Sequence, residues 1–346
     1  MRTATLEELE AAAAVGESDP RLWLQLGDLR AQDGQRLPAL LAWFEAVTRA
    51  QMQGLWIDTA STPADALDSV INAITQVRTR RREIYFGSYE FLRAEHGAAA
   101  LERVDRALSA HLREWDGRPT DPRQKPRFFY LPDLPSSPYL DPNSQPWAPA
   151  LRDAYPAIRD EAIDLLRENE GFEDFVRLRK GDRMDNYLGG GRPSWEAYFF
   201  YRHGKRFDAH HQRCPQTSAA LESIELCDIA DHAPEICFSL LAPGTHILPH
   251  YGVTNARVVM HLPLVVPPDC ALNVIGAGEH AWREGDLMMF DDTFQHEAWN
   301  RSTTPRLILL MDCWNPALSA VERQAVTRLI ESIGALHHAA RATTAK

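Results

Sequence analysis

"THILPHYGVTNARVVMHLPLVV", residues 245–266, decides how much of this chain folds. From Arg257 the side chains alternate. Arg257, Val259 and His261 fall on one face of an extended strand, and Val258, Met260 and Leu262 on the other. Upstream, Gly244 and Pro249 argue against a helix around His246 and His250. On a regular strand these two histidines share a face but stand about 13 Å apart, at about 3.3 Å per residue. At most one of them can serve a given metal ion, and a second ligand must come from elsewhere. Two residues after His250, where a His-x-Asp or His-x-Glu motif places an acid, the chain has Gly252.

Around this stretch lie more short β-rich runs: "WEAYFFYR", "EICFSLL", "CALNVIG", "DLMMFDD" and "PRLILLMDCW". Gly, Pro and Asn turns separate them, which predicts an antiparallel sandwich or barrel over 195–316. His296 sits where the chain leaves one of these strands, and Arg306 opens another that is otherwise apolar. A buried guanidinium needs an anionic partner. Asp291, Asp292 or Asp312 could be that partner, or a ligand carboxylate could. The absence of HExxH and of a convincing third ligand speaks against a zinc hydrolase.

Residues 1–117 read as helical. In "WLQLGDLRAQDGQRLPALLAWFEAVTRA" the order Trp23, Leu26, Gly27, Ala39, Trp43, Ala46 is that of one tetratricopeptide-like unit, and an ordinary helical hairpin explains it equally well. Either reading makes this region a support module or a surface for a protein partner. The second domain runs over 118–346. It opens within a proline-rich covering segment (116–149), returns to helix at "APALRDAYPAIRDE", and ends on an amphipathic helix. "YLGGGRPS" (187–194) reads as a mobile loop. With 37 basic against 48 acidic residues the net charge is -11, which argues against nucleic acid as a partner. No run approaches the roughly 20 apolar residues of a membrane helix. Five scattered cysteines without CxxC spacing suggest reduced thiols in a cytoplasmic protein.

"FSLLAPGTHILPHYGVTNARVVMHLPLVVP", "EGDLMMFDDTFQHEAWN" and "PRLILLMDCWNP" together resemble the aspartyl/asparaginyl β-hydroxylase family, collinearly from Ser239 to about Pro316 and more weakly back to about 127. The resemblance implies an α+β fold: the N-terminal helical region, then a double-stranded β-helix (jelly-roll, cupin-like) oxygenase domain. It implies an iron(II)- and 2-oxoglutarate-dependent dioxygenase that uses O2 to hydroxylate an unactivated C–H, with the β-carbon of an aspartyl or asparaginyl residue, or a related peptide, protein or amino-acid-derived substrate, as target. His250 and His296 match iron ligands in a family that uses two histidines and no carboxylate, which explains Gly252. Ser239 and Arg306 match residues that hold the distal carboxylate of 2-oxoglutarate, and His261 matches a co-substrate contact. Arg257 matches an arginine facing the substrate carboxylate. Two departures stand out. The vertebrate Arg-x-Arg-x-His is Arg257, Val259, His261 here, and "WQQG" is "YRHG", so Arg202 is expected to restore the charge that Val259 removes. The rival reading is a barrel without catalysis that acts as an interaction module.

Overall fold

The computed structural model describes residues 4–15, 18–168, 170–178 and 182–342. These residues fall into two compact units, one of Met1–Glu95 with Arg328–Lys346 and the other of His96–Thr327. The division lies upstream of the expected 117/118 boundary, and the end of the closing helix, Ala320–Ala342, goes with the first unit. The reason lies in helix Glu102–His111. Its Arg106 pairs with Asp133, and its His111 ring lies 6.0 Å from the rings of Phe128 and Phe129. The proline-rich segment thus holds this helix in the second unit.

In the first unit, helices Pro20–Gln32 and Arg36–Met52 form an antiparallel hairpin, followed by Leu67–Gly87. The six residues singled out in the sequence are all buried. At Gly27 a β-carbon would lie 2.3 Å from Trp43 Cδ1, so the helices cross where only glycine fits. Among the described residues no helix is long and apolar enough to cross a membrane.

The second unit is a mixed helix-and-sheet body with antiparallel sheets. Eight consecutive strands form its centre: β1 Ile236–Leu241, β2 His246–His250, β3 Arg257–Val265, β4 Cys270–Val274, β5 Gly278–Ala281, β6 Met288–Phe290, β7 His296–Asn300 and β8 Arg306–Trp314. The larger sheet runs β6-β3-β8-β1 and is extended beyond β1 by strand Trp195–Arg202. The smaller runs β5-β4-β7-β2, with Leu188–Gly189 added to β2. The segment expected as a mobile loop is therefore partly pinned to the sheet.

The alternation read in β3 divides two apolar layers. Val258, Met260 and Leu262 join Leu307, Leu309 and Met311 and pack under helices Ala148–Asp153, Tyr155–Glu168 and Pro215–Glu222. Val259 faces inward with Ile247, Leu272, Phe290 and Ala298 between the sheets. In the proline-rich stretch Phe129, Leu131, Leu134 and Trp147 are buried, as a covering segment requires.

Two substitutions test this packing by chemical denaturation. Leu309→Ala, at a fully buried position, should cost about 2–5 kcal/mol. Gly27→Ala would gain about 1 kcal/mol in an open helix, but here the methyl meets Trp43 and a loss of about 1–3 kcal/mol is expected. A gain would contradict the close crossing.

Candidate active site

β2 and β7 place His250 and His296 directly across from each other, with ring centroids 4.1 Å apart and planes at 56°. Between them and the next pairs, Ile247 with Ala298 and His246 with Trp299, β2 carries one extra residue. This bulge breaks the regular alternation. Ile247 and His250 face the cavity, while His246 turns away and meets Glu297, Nε2 to Oε2 2.7 Å. The shared face expected for His246 and His250 is thereby corrected.

Each inward histidine is held by a carbonyl two residues before it. His250 Nδ1 donates to Leu248 O (2.8 Å) and His296 Nδ1 to Phe294 O (2.9 Å). With the proton on Nδ1, the Nε2 lone pair is free, as an imidazole ligand requires. Burial, and then the neighbouring His250, push the His296 pKa down to about 3; burial also lowers that of His250. Both rings are neutral at physiological pH.

Gly252 has a steric cause in this structure. A β-carbon there would lie 2.0 Å from Asp292 Cγ, and Gly252 N donates to Asp292 O at 2.6 Å. The place where a His-x-Asp motif would put its acid is already filled by a carboxylate from the β6–β7 connection. Among the described residues no set of three or more His, Cys, Asp or Glu gathers in a metal-holding arrangement.

The same cavity, about 180 Å³, is also lined by Ser239, His261 and Arg306. This is well below the roughly 300–1,000 Å³ of drug-sized pockets and suits a compact metabolite. Arg306 is 1% exposed, and its Nε and Nη1 have no hydrogen-bond partner. Asp291 is taken by Gln124 and Thr293, and Asp292 and Asp312 by Arg257, so the internal acids offered by the sequence do not serve it. Burial lowers its pKa to about 10, still cationic at neutral pH, and its Cζ lies 4.9 Å from the Trp282 ring centre.

Two tryptophans set the neighbouring groups. Trp282 Nε1 donates to His261 Nδ1 (3.2 Å). Burial and then Arg306 hold the His261 pKa well below its usual value, so the ring is neutral with its proton on Nε2. Trp195 Nε1 donates to Ser239 Oγ (2.9 Å), leaving the serine proton to be given elsewhere. The Trp195 ring stacks on Phe175 with centroids 3.8 Å apart.

The remaining two arginines depart from expectation. Arg257 lines the cavity, but its Nη1 lies between Asp292 Oδ2 (3.1 Å) and Asp312 Oδ1 (2.9 Å), so its charge is already matched. Arg202 is not in the cavity wall. It binds Glu173 (2.7 Å) and the Phe175 carbonyl (2.9 Å) with its guanidinium over Phe199, because Glu173 stands on the strand paired beside it. Arg202 does not replace the charge absent at Val259. Trp195, Trp282, Glu235 and Phe175 also line the site. Trp195 reads as a core residue of its strand, and Phe175, Trp282 and Glu235 each stand just outside a strand end, so nothing local in the sequence marked them.

The family model for aspartyl/asparaginyl beta-hydroxylase matches residues 152–316. Human aspartate beta-hydroxylase domain-containing protein 2 is 30% identical over 250 residues, covering 71% of this chain and 64% of that protein. Its mouse counterpart is 30% identical over 249 residues, 71% of this chain and 69% of its own length. Human aspartyl/asparaginyl beta-hydroxylase is 31% identical over 173 residues, 49% of this chain but 21% of that protein. The chain thus spans just under two thirds of the human domain-containing relative. A solved Pseudomonas putida prolyl-4-hydroxylase aligns over 46% of this chain and 87% of its own at 16% identity, with a TM-score of 0.29. On the family match and the coverage of the mouse relative, this chain belongs to the aspartyl/asparaginyl beta-hydroxylase family.

Proposed function

We propose that this protein is an iron(II)- and 2-oxoglutarate-dependent dioxygenase that hydroxylates a C–H bond of a peptide, protein or amino-acid-derived substrate. We read the division of β1–β8 between two sheets, with β1, β3, β6 and β8 in one and β2, β4, β5 and β7 in the other, as the double-stranded β-helix of such enzymes. The observation that carries the proposal is the unpartnered, buried guanidinium of Arg306 in one small cavity with two imidazoles. A buried cation without a partner is costly. A ligand carboxylate removes that cost, and a bidentate fork suits it.

The residues fit the implied cofactors. Neutral imidazoles with free Nε2 atoms, His250 and His296, suit a ferrous ion. Arg306, with the Ser239 hydroxyl, would take the far carboxylate of 2-oxoglutarate, and His261 would donate its Nε2 proton to the co-substrate. When bound, iron and 2-oxoglutarate supply, with O2, the oxidising power that turns C–H into C–OH, and the co-substrate leaves as succinate and CO2. The protein's own work is to orient and enclose. Trp282 keeps His261 in its donor tautomer, Trp195 fixes Ser239, and the Phe175–Trp195 stack shields this end from water.

Anaerobic addition of 2-oxoglutarate to the iron(II) protein should produce a weak visible charge-transfer band. Both the band and succinate formation should vanish in His250→Ala and in His296→Ala. A flat spectrum of the unaltered protein at saturating iron and co-substrate would falsify the proposal.

Acid should weaken the metal-free fold. The folded protein resists protonating His296 down to about 3, whereas the unfolded chain takes that proton near 6.5. The stability contributed by the neutral ring is therefore complete above about 6.5 and lost as pH falls toward 3. Denaturation measured across that range should show the loss, and His296→Asn should reduce its slope, with His250 and His261 supplying the rest. An equal slope in both proteins would contradict a neutral, buried His296.

A further inference from the structure

The cavity has two ends of opposite character. Arg306 marks the first. At the other stand Arg257, Asp292, Asp312 and Glu235, with Val259 adding no charge between Arg257 and His261. Arg257 Nη1 is shared by Asp292 and Asp312. Glu235 Oε1 has Arg202 Nε at 3.8 Å, but that arginine is bound more closely to Glu173 at 2.7 Å, outside the cavity. His203, 3.8 Å from Glu235 on the solvent side, has its pKa lowered by burial and then by Arg202, and adds no charge at neutral pH. Three carboxylates thus face one guanidinium in the cavity wall. Behind them Glu173 is shared by Arg202 and Arg177, which offsets part of the Glu235 charge, and burial raises the Glu235 pKa. Asp292 and Asp312 against the single Arg257 still leave this end with an excess of acid.

A second observation shows that these acids have unused capacity toward a ligand. Asp292 is 6% exposed and lines the cavity, and its Oδ1 has no hydrogen-bond partner while Oδ2 is held by Arg257. A buried carboxylate oxygen without a donor carries a desolvation cost that an incoming N–H removes. Burial raises Asp312 to about 6, which leaves it ionised at neutral pH. Around the acids the wall is apolar, from Phe175, Val259, Ile308 and Leu310.

We infer that this end of the cavity selects a substrate side chain that bears N–H donors and no negative charge, and that it rejects a carboxylate. The inference rests on the oxygenase reading and names its substrate class. A carboxylate entering beside Asp292, Asp312 and Glu235 would meet like charges in a partly desolvated site. The one cation there, Arg257, is already occupied. A carboxamide, amine or guanidinium would bring N–H donors to an end of the cavity rich in acceptor oxygens, and a rotation of the Asp292 carboxylate would turn its enclosed, unpaired Oδ1 from Gly252 toward such a donor. Specificity then comes as much from repulsion as from attraction.

The test uses the full chain with iron(II), 2-oxoglutarate and oxygen, and four blocked peptides Gly-Gly-X-Gly-Gly in which X is Asp, Asn, Lys or Arg. The readouts are the one-oxygen mass gain of the peptide and succinate release. At least one of the Asn, Lys and Arg peptides should exceed the Asp peptide by about tenfold or more. The best of the three then states whether the preferred donor is an amide or a cation. Glu235→Gln and Asp312→Asn should each shift the ratio toward the Asp peptide. Equal or better turnover of the Asp peptide would overturn the inference, as would a ratio unmoved by both substitutions, or no turnover of any peptide by protein that shows the anaerobic visible band. Absence of that band is a failure of the oxygenase reading itself, and it is scored separately.

Discussion

The structure depends on one unusual commitment, a guanidinium buried between two antiparallel sheets with no acid set against it. Arg306 opens β8, the central partner of both β3 and β1, so its place is fixed by two strands at once. The buried Arg202 and the part-buried Arg257 are both neutralised in place. Arg306 differs because the nearby acids are held elsewhere, by Gln124, Thr293 and Arg257. An unmatched buried charge is costly, and on the proposed reading a ligand carboxylate offsets that cost.

The remaining features of the cavity follow from keeping that charge and the two imidazoles ready. Each inward imidazole has its tautomer set by a backbone carbonyl, so on the proposed reading no side-chain rearrangement is needed for it to serve as a ligand. The bulge in β2 brings His250 to the inner face. Asp292 closes the space behind Gly252 and keeps any third side-chain ligand from that point of the chain out of the site. The cavity is polarised as a result, with an unmatched cation at one end and surplus carboxylates at the other.

Part of this was legible in the sequence. The alternation from Arg257 to Val265 correctly separated an inner from an outer face, because a strand buried on both sides still obeys a period of two. His250, His296, Ser239, His261 and Arg306 came from a resemblance over long, collinear motifs, and the fold brings all five to one cavity. The bulge was hidden, since a single inserted residue leaves no mark in composition. The role of Arg257 was hidden too, because the acids that bind it lie 35 and 55 residues away in sequence. Arg202 was misassigned for the same reason, with its partner Glu173 29 residues upstream. The unit boundary was missed because helix Glu102–His111 looks like the helices before it, while its packing partners lie in the proline-rich segment that follows.

The most direct measurement compares two ligands that differ only at the far end. Calorimetric titration of the anaerobic iron(II) protein with 2-oxoglutarate and with 2-oxopentanoate, which lacks the distal carboxylate, isolates the contribution of Arg306. The account predicts that the monocarboxylate binds at least about a hundredfold more weakly, since it leaves a buried guanidinium unmatched. Equal affinity for the two would contradict it.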